Sequence, residues 1–123
     1  MDNDYIELLR AVSQAAAVLA ETVMDYDKKN NDNEGYKTAE TMREDYRQLA
    51  DKLGNKDLTR FDYLKLYAAA KIVCENLETK QDILRKTIQG YKVSLIPKLS
   101  RIVNETQTNE QANTLAMEIF KTE

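Results

Sequence analysis

The longest apolar periodicity in the chain begins at Tyr63. Alternating steps of four and three residues reach Tyr63, Tyr67, Ala70, Cys74, Leu77, Gln81, Leu84, Ile88, Tyr91 and Leu95, and only Gln81 is strongly polar. A stripe that keeps one phase over this length predicts an amphipathic helix. One long central helix is therefore expected over about residues 59–95, extending roughly 50 Å from Tyr63 to Leu95. Its first half carries a second apolar flank, Phe61, Leu64, Ala68 and Ile72, and is expected to be the most buried part of the fold. Thr59, with Asp62 three residues later, resembles a capping box in which Asp replaces the usual Glu. Gly90 and Pro97 oppose continuity. Glycine costs about 1 kcal/mol in a helix interior. Proline costs about 3 kcal/mol and cannot donate to the carbonyl of Val93. A kink or break is expected between Gly90 and Pro97, followed by a helical piece carrying Leu99, Ile102 and Val103.

The other segments repeat the pattern more briefly. Tyr5, Leu9, Val12, Ala16, Leu19, Val23 and Tyr26 predict a first helix from near Asp4 to Asp27 or Lys28, with acidic residues at its positive end. Residues 28–35 contain no apolar member and read as a loop. Ala39, Met42, Tyr46, Leu49 and Leu53 predict a second helix over about 36–53, stopped by Gly54. Thr108 and Gln111 match a capping box ahead of a final helix carrying Ala112, Leu115, Ala116, Ile119 and Phe120. No segment reads as a strand. The expected fold is all-α, a bundle of four to five helices built on the long central one, with residues 1–123 forming a single domain.

Composition agrees with this picture. The chain of 123 residues has only 3 Gly and 1 Pro, so its backbone has few built-in breaks. Apolar content of 42% is too high for a disordered chain. Net charge is −3, with 8 Lys+Arg against 13 Asp+Glu in residues 1–58 and 10 against 8 in residues 59–123. This mild polarity lacks the strong basic signature of a nucleic-acid binder. One cysteine, Cys74, cannot form an internal disulfide, so a reducing, cytoplasmic setting is expected. Its place on the apolar stripe makes it a core residue rather than a nucleophile. No apolar run approaches the ~18 residues of a membrane span.

Candidate chemistry is sparse. The chain has no histidine, which removes the commonest general base and metal ligand. Its three glycines stand apart at 35, 54 and 90, so no phosphate-cradling loop exists. The best acidic cluster is Glu75, Glu78 and Asp82. Glu75-x-x-Glu78 resembles half of the magnesium-holding motif of all-α nucleotide pyrophosphatases of the MazG kind. The partnering Glu-x-x-Asp half occurs nowhere in the chain. The three carboxylates also point away from the stripe, as on a solvated face. No catalytic residue, cofactor or metal site is expected.

Lys80, Arg85, Lys86, Lys92, Lys98 and Arg101 form a basic segment, but they frame the apolar seam from both edges instead of sharing one face. If no other helix covers the 77–103 seam, it exposes an apolar patch of the extent that marks a partner site. The expected partner-binding residues are Leu84, Ile88, Tyr91, Lys92, Leu95 and Arg101, and the same seam could join two copies as a homodimer. The favoured reading is a non-catalytic protein-interaction module, an adaptor or inhibitor. The 12 Lys against 6 Arg, with 9 Asn, suggest an AT-rich coding source such as a phage or mobile element, where counter-defence or host-takeover proteins of this general character occur. One alternative is a nucleic-acid accessory protein touching phosphates through residues 80–101. The second is a magnesium-dependent nucleotide pyrophosphatase.

Overall fold

The computed structural model describes residues 3–54, 58–76 and 82–121, and among these the fold is an all-α bundle with no strand. The helices are α1 (Asn3–Lys29), α2 (Asn33–Lys52), α3 (Arg60–Asn76), α4 (Asp82–Gly90), α5 (Ile96–Glu105) and α6 (Asn109–Ile119). A π-helical turn, Tyr91–Leu95, joins α4 to α5. One hydrophobic cluster takes in residues of α1, α2, α3, the π turn, α5 and α6.

α1 and α2 form an antiparallel hairpin. The expected loop over residues 28–35 is shorter than its polar composition suggests, because α1 runs to Lys29 and α2 begins at Asn33. Asn31 turns the chain with φ 59°, and Asp32 caps α2 by accepting the Gly35 N–H at 2.9 Å. Polar residues at helix ends are capping groups as readily as they are loop. At the other end Gly54, at φ +86°, stops α2 as expected. Arg10 of α1 ties down that end: its Nε donates to Ala50 O at 3.3 Å and its Nη2 to Leu53 O at 2.9 Å. A cation at these carbonyls satisfies groups that have no partner within α2 and complements the negative end of its dipole.

The continuous central helix is not present. α3 ends at Asn76, and Cys74 Sγ lies 3.9 Å from Ile88 O. Fourteen residues of straight helix would separate them by roughly 21 Å. At the other end of the pair, Arg60 Nη2 donates to Val103 O at 2.9 Å, so α3 and the α4–α5 arm run antiparallel. The arm packs on α3: Tyr63 and Ala70 of the expected stripe, with Leu66, Ala69 and Val73 beside it, share the core with Leu95, Leu99 and Ile102, while Tyr67 and Cys74 are only half-buried. Burying those last three side chains contributes about 1.5–3 kcal/mol each. Interrupting a helix forgoes about four internal hydrogen bonds, each worth net roughly 1 kcal/mol once water replaces the partner. Burial therefore outweighs continuity. The expected stripe positions Leu77 and Gln81 lie outside the described residues.

The second flank of α3 is also revised. Phe61 is 62% exposed and Leu64 43%, because α1 and α5 occupy the other sides of α3 and no described helix covers this one. The helix does continue from Gly90 to Pro97, with a change of register instead of a break. The Ile96 N–H donates to Tyr91 O, one residue further back than in an α-helix. The wider turn ends just before Pro97, where the ring needs room and the missing N–H leaves the Val93 carbonyl without its usual donor.

α6 closes the bundle at the end where α1 begins. The rings of Tyr5 and Phe120 lie 5.1 Å apart, and Lys98 Nζ donates to Tyr5 OH at 3.0 Å. Asn113 is the polar tie at that end. Its Nδ2 donates to Leu58 O at 2.6 Å and to Asn109 O at 3.0 Å, while its Oδ1 accepts from Leu58 N at 3.3 Å and Tyr63 OH at 2.8 Å. The Thr59–Asp62 box forms as expected. Thr59 N donates to Asp62 Oδ2 at 2.9 Å, and Asp62 N donates to Thr59 Oγ1 at 3.1 Å. The Thr108–Gln111 box forms in part: Gln111 N donates to Thr108 Oγ1 at 3.1 Å, but Gln111 Oε1 accepts from Gln107 N at 2.8 Å.

Three measurements test this account. Asn113→Leu strands the Leu58 N–H and carbonyl, removes one partner of Tyr63 OH, and should lower unfolding free energy by about 2–4 kcal/mol in urea titrations. Gly90→Ala should raise it by about 0.5–1 kcal/mol, since a Cβ there meets nothing within 4 Å and the backbone is already helical. Burial pushes the Asp62 carboxyl up, but hydrogen bonds from Lys52 and Thr59 and the Lys52 charge overcome it, so its pKa lies below the ordinary 3.8. A carboxylate made more acidic by folding contributes stability above its ordinary range and loses it as pH falls through the folded value. The stability gap between wild type and Asp62→Asn should therefore be widest near neutral pH and close as pH drops below 3.8.

Candidate functional site

α1 and α2 reach further than α3. Ile72 and Asn76, in the last turns of α3, line one groove with Leu19 and Val23, while α1 continues to Lys29. Beyond α3 the hairpin carries an open groove of about 700 Å³. Its floor is apolar, formed by Ala16, Leu19 and Ala20 of α1, Ala39 and Met42 of α2, and Ile72 of α3. Val23 (49% exposed) and Met42 (37% exposed) leave apolar surface open to solvent along it.

The polar lining is all neutral or acidic. Asp27, Asp32 and Glu34 contribute three carboxylates, and among the described residues no Lys or Arg lines the groove. The neutral polar groups are occupied by their own helices: Thr22 Oγ1 donates to Val18 O at 3.2 Å, Thr38 Oγ1 to Glu34 O at 3.0 Å, and Asn76 Nδ2 to Ile72 O at 2.8 Å. The carboxylates are the groups left to meet a ligand. The site is thus a greasy trough with an acidic end at the hairpin turn.

The expected partner-binding residues fall elsewhere, and the structure does not assemble them into an open surface. Leu95 is 2% exposed and lies in the core, with Leu99 and Ile102 beside it. Ile88 and Tyr91 are half-buried, Lys92 and Arg101 are exposed, and the Leu84 side chain lies outside the described residues. α3 covers the seam that was expected to be free for a partner or a second copy, because the chain folds back upon itself. Burial raises the Tyr91 phenol above its ordinary pKa, with the neighbouring Cys74 adding to the effect.

The basic segment is similarly divided. Arg85, Lys86 and Lys92 are exposed. Lys98 is turned onto Tyr5, with Nζ 4.9 Å from the ring centroid, and Arg101 Nε bonds Glu105 Oε2 at 2.8 Å. Lys80 and Glu78 lie outside the described residues, and Glu75 is exposed. Among the described residues no three Cys, Asp or Glu side chains stand close enough to hold a metal ion. The Cys74 thiol is raised above its ordinary pKa chiefly by burial and then by Glu75, against the pull of Lys92, so its reactive thiolate form is disfavoured. No described helix is long and apolar enough to cross a membrane.

Sequence periodicity missed the groove although its signal was present. The first stripe runs through Val23 to Tyr26, and Tyr26 is 66% exposed. An apolar stripe longer than the helix that covers it leaves its far end open. Asp27 follows Val23 by four residues and Ala20 by seven, which places a carboxylate on the groove side of α1, where the sequence suggested only a helix end. Comparisons of the chain with protein-family models, with curated proteins and with solved structures found no match.

Proposed function

We propose that the protein is a non-catalytic protein-interaction module, an adaptor or inhibitor, which receives its partner in the groove beyond the end of α3. The observation that carries this reading is the open apolar trough of about 700 Å³ with Val23 and Met42 exposed along it. Two paired helices carry an apolar face that no described helix covers beyond α3, and helix-in-groove recognition fills such a place. The small side chains of Ala16, Ala20 and Ala39 favour it, since a docking helix can approach closely over alanine. A single free cysteine suits a reducing compartment.

The test is affinity capture from the source cells with wild type and with a Val23→Asn, Met42→Gln double variant, followed by mass spectrometry. Both positions are partly exposed, so the variant should keep the wild-type melting temperature. Losing most of two apolar contacts, about 1.4 kcal/mol or more in total, should reduce recovery of the bound protein at least tenfold. Equal recovery with the two baits removes the groove from the interaction.

A further inference from the structure

Building on the interaction reading, we propose that the groove takes a basic amphipathic helix of the partner, with one lysine or arginine of that helix seated against Asp27. Asp27 is only 8% exposed, yet it lines the groove. Its side chain makes no hydrogen bond or ion pair in the structure; its backbone carbonyl accepts from Asp32 N at 2.8 Å. A carboxylate with little water left around it and no partner loses hydration that nothing replaces, so a position of this kind favours a cation wherever one is at hand.

The surroundings supply none. Asp27 lies in the last turn of α1, where the helix dipole is negative. The first turn of α2 is nearby and positive, but its Gly35 N–H is held by Asp32 Oδ1 at 2.9 Å and its Tyr36 N–H by Asp32 O at 3.0 Å. No Lys or Arg among the described residues lines the groove, which leaves this position open to a cation from a partner. Gly35 marks where two carboxylates approach each other. A Cβ built on Gly35 would lie 2.7 Å from Asp27 Oδ2 and 2.6 Å from Asp32 Oδ2. The two carboxylates therefore converge beside a residue with no side chain, Asp27 buried and Asp32 exposed at the mouth. An ammonium or guanidinium on a flexible stem can reach this point while its neighbours one turn away cover the apolar floor. Glu34 adds a third negative charge for the basic face of the same helix.

The experiment titrates the whole protein with a labelled lysine/leucine peptide of about five helical turns, read by fluorescence anisotropy at physiological salt. Two control peptides replace all lysines by glutamate or all leucines by alanine. The lysine/leucine peptide should bind, and each control at least tenfold more weakly. Asp27→Asn should weaken binding of the lysine/leucine peptide at least tenfold without lowering the melting temperature of the free protein. Asp25→Asn removes the same charge from an exposed position outside the groove and should leave binding unchanged. The proposal is overturned if Asp27→Asn binds like wild type, if Asp25→Asn weakens binding equally, or if the lysine/alanine peptide binds as well as the lysine/leucine one. A melting temperature lowered by Asp27→Asn also overturns it, since Asp27 would then be supporting the fold. The two readings fail separately. Partner recovery lost in the Val23→Asn, Met42→Gln variant but kept in Asp27→Asn removes the anchor alone, whereas recovery kept in the double variant removes the groove itself.

Discussion

The bundle depends on the burial of α3 from two sides. Tyr63, Leu66, Ala69, Ala70 and Val73 are almost wholly buried, and neither the α1–α2 hairpin nor the α4–α5 arm could cover all of them alone. Two layers must therefore meet on one helix, and the chain supplies both by turning before and after it. The reversal beyond Asn76 is the consequential one. It converts the second half of a long apolar stripe from a surface into a wall of the core. Whatever apolar surface the protein presents to others must then lie elsewhere.

Polar contacts decide where these layers stop. At the end where α1 begins, Arg10 holds the last carbonyls of α2, Arg60 holds the Val103 carbonyl of α5, and Asn109 Oδ1 accepts the Arg60 N–H at 2.9 Å. Asn113 and the Lys52–Asp62 pair complete the set, with Nζ and Oδ2 2.5 Å apart. These bonds link helix ends across the chain, where backbone groups have no partners of their own. They fix one end of the bundle firmly in register. Among the described residues no comparable polar tie joins helix ends on the opposite side, where α1 and α2 extend past α3 and the groove opens.

The groove thus follows from a mismatch of lengths. α1 has 27 residues and α2 has 20, against 17 in α3. Excess hairpin carries excess apolar face, and its turn brings Asp27, Asp32 and Glu34 to the edge of that face. An apolar trough alone would discriminate little among helices; in the binding proposed above, the carboxylates would favour those with a basic edge. The neutral polar groups of the trough are engaged by their own helices, so the carboxylates are its charged lining among the described residues.

Much of this was legible in the residue pattern. Helix content, the first and last helices within one or two residues, Gly54 as a stop and Thr59 with Asp62 as a start all follow from rules that act over a single turn, and such rules are contained in short stretches of chain. Periodicity also identified Leu95, Leu99 and Ile102 as one apolar face. It could not say whether that face meets solvent, a second molecule or the chain's own α3, because a stripe specifies that burial must occur and not what provides it. Only the tertiary structure decided that Cys74 lies beside Ile88, that Phe61 and Leu64 stay open, and that Asp27 is enclosed without a partner. Each of these depends on which helices lie side by side and how far each one reaches, and such distances are set by the packing of the whole bundle at once.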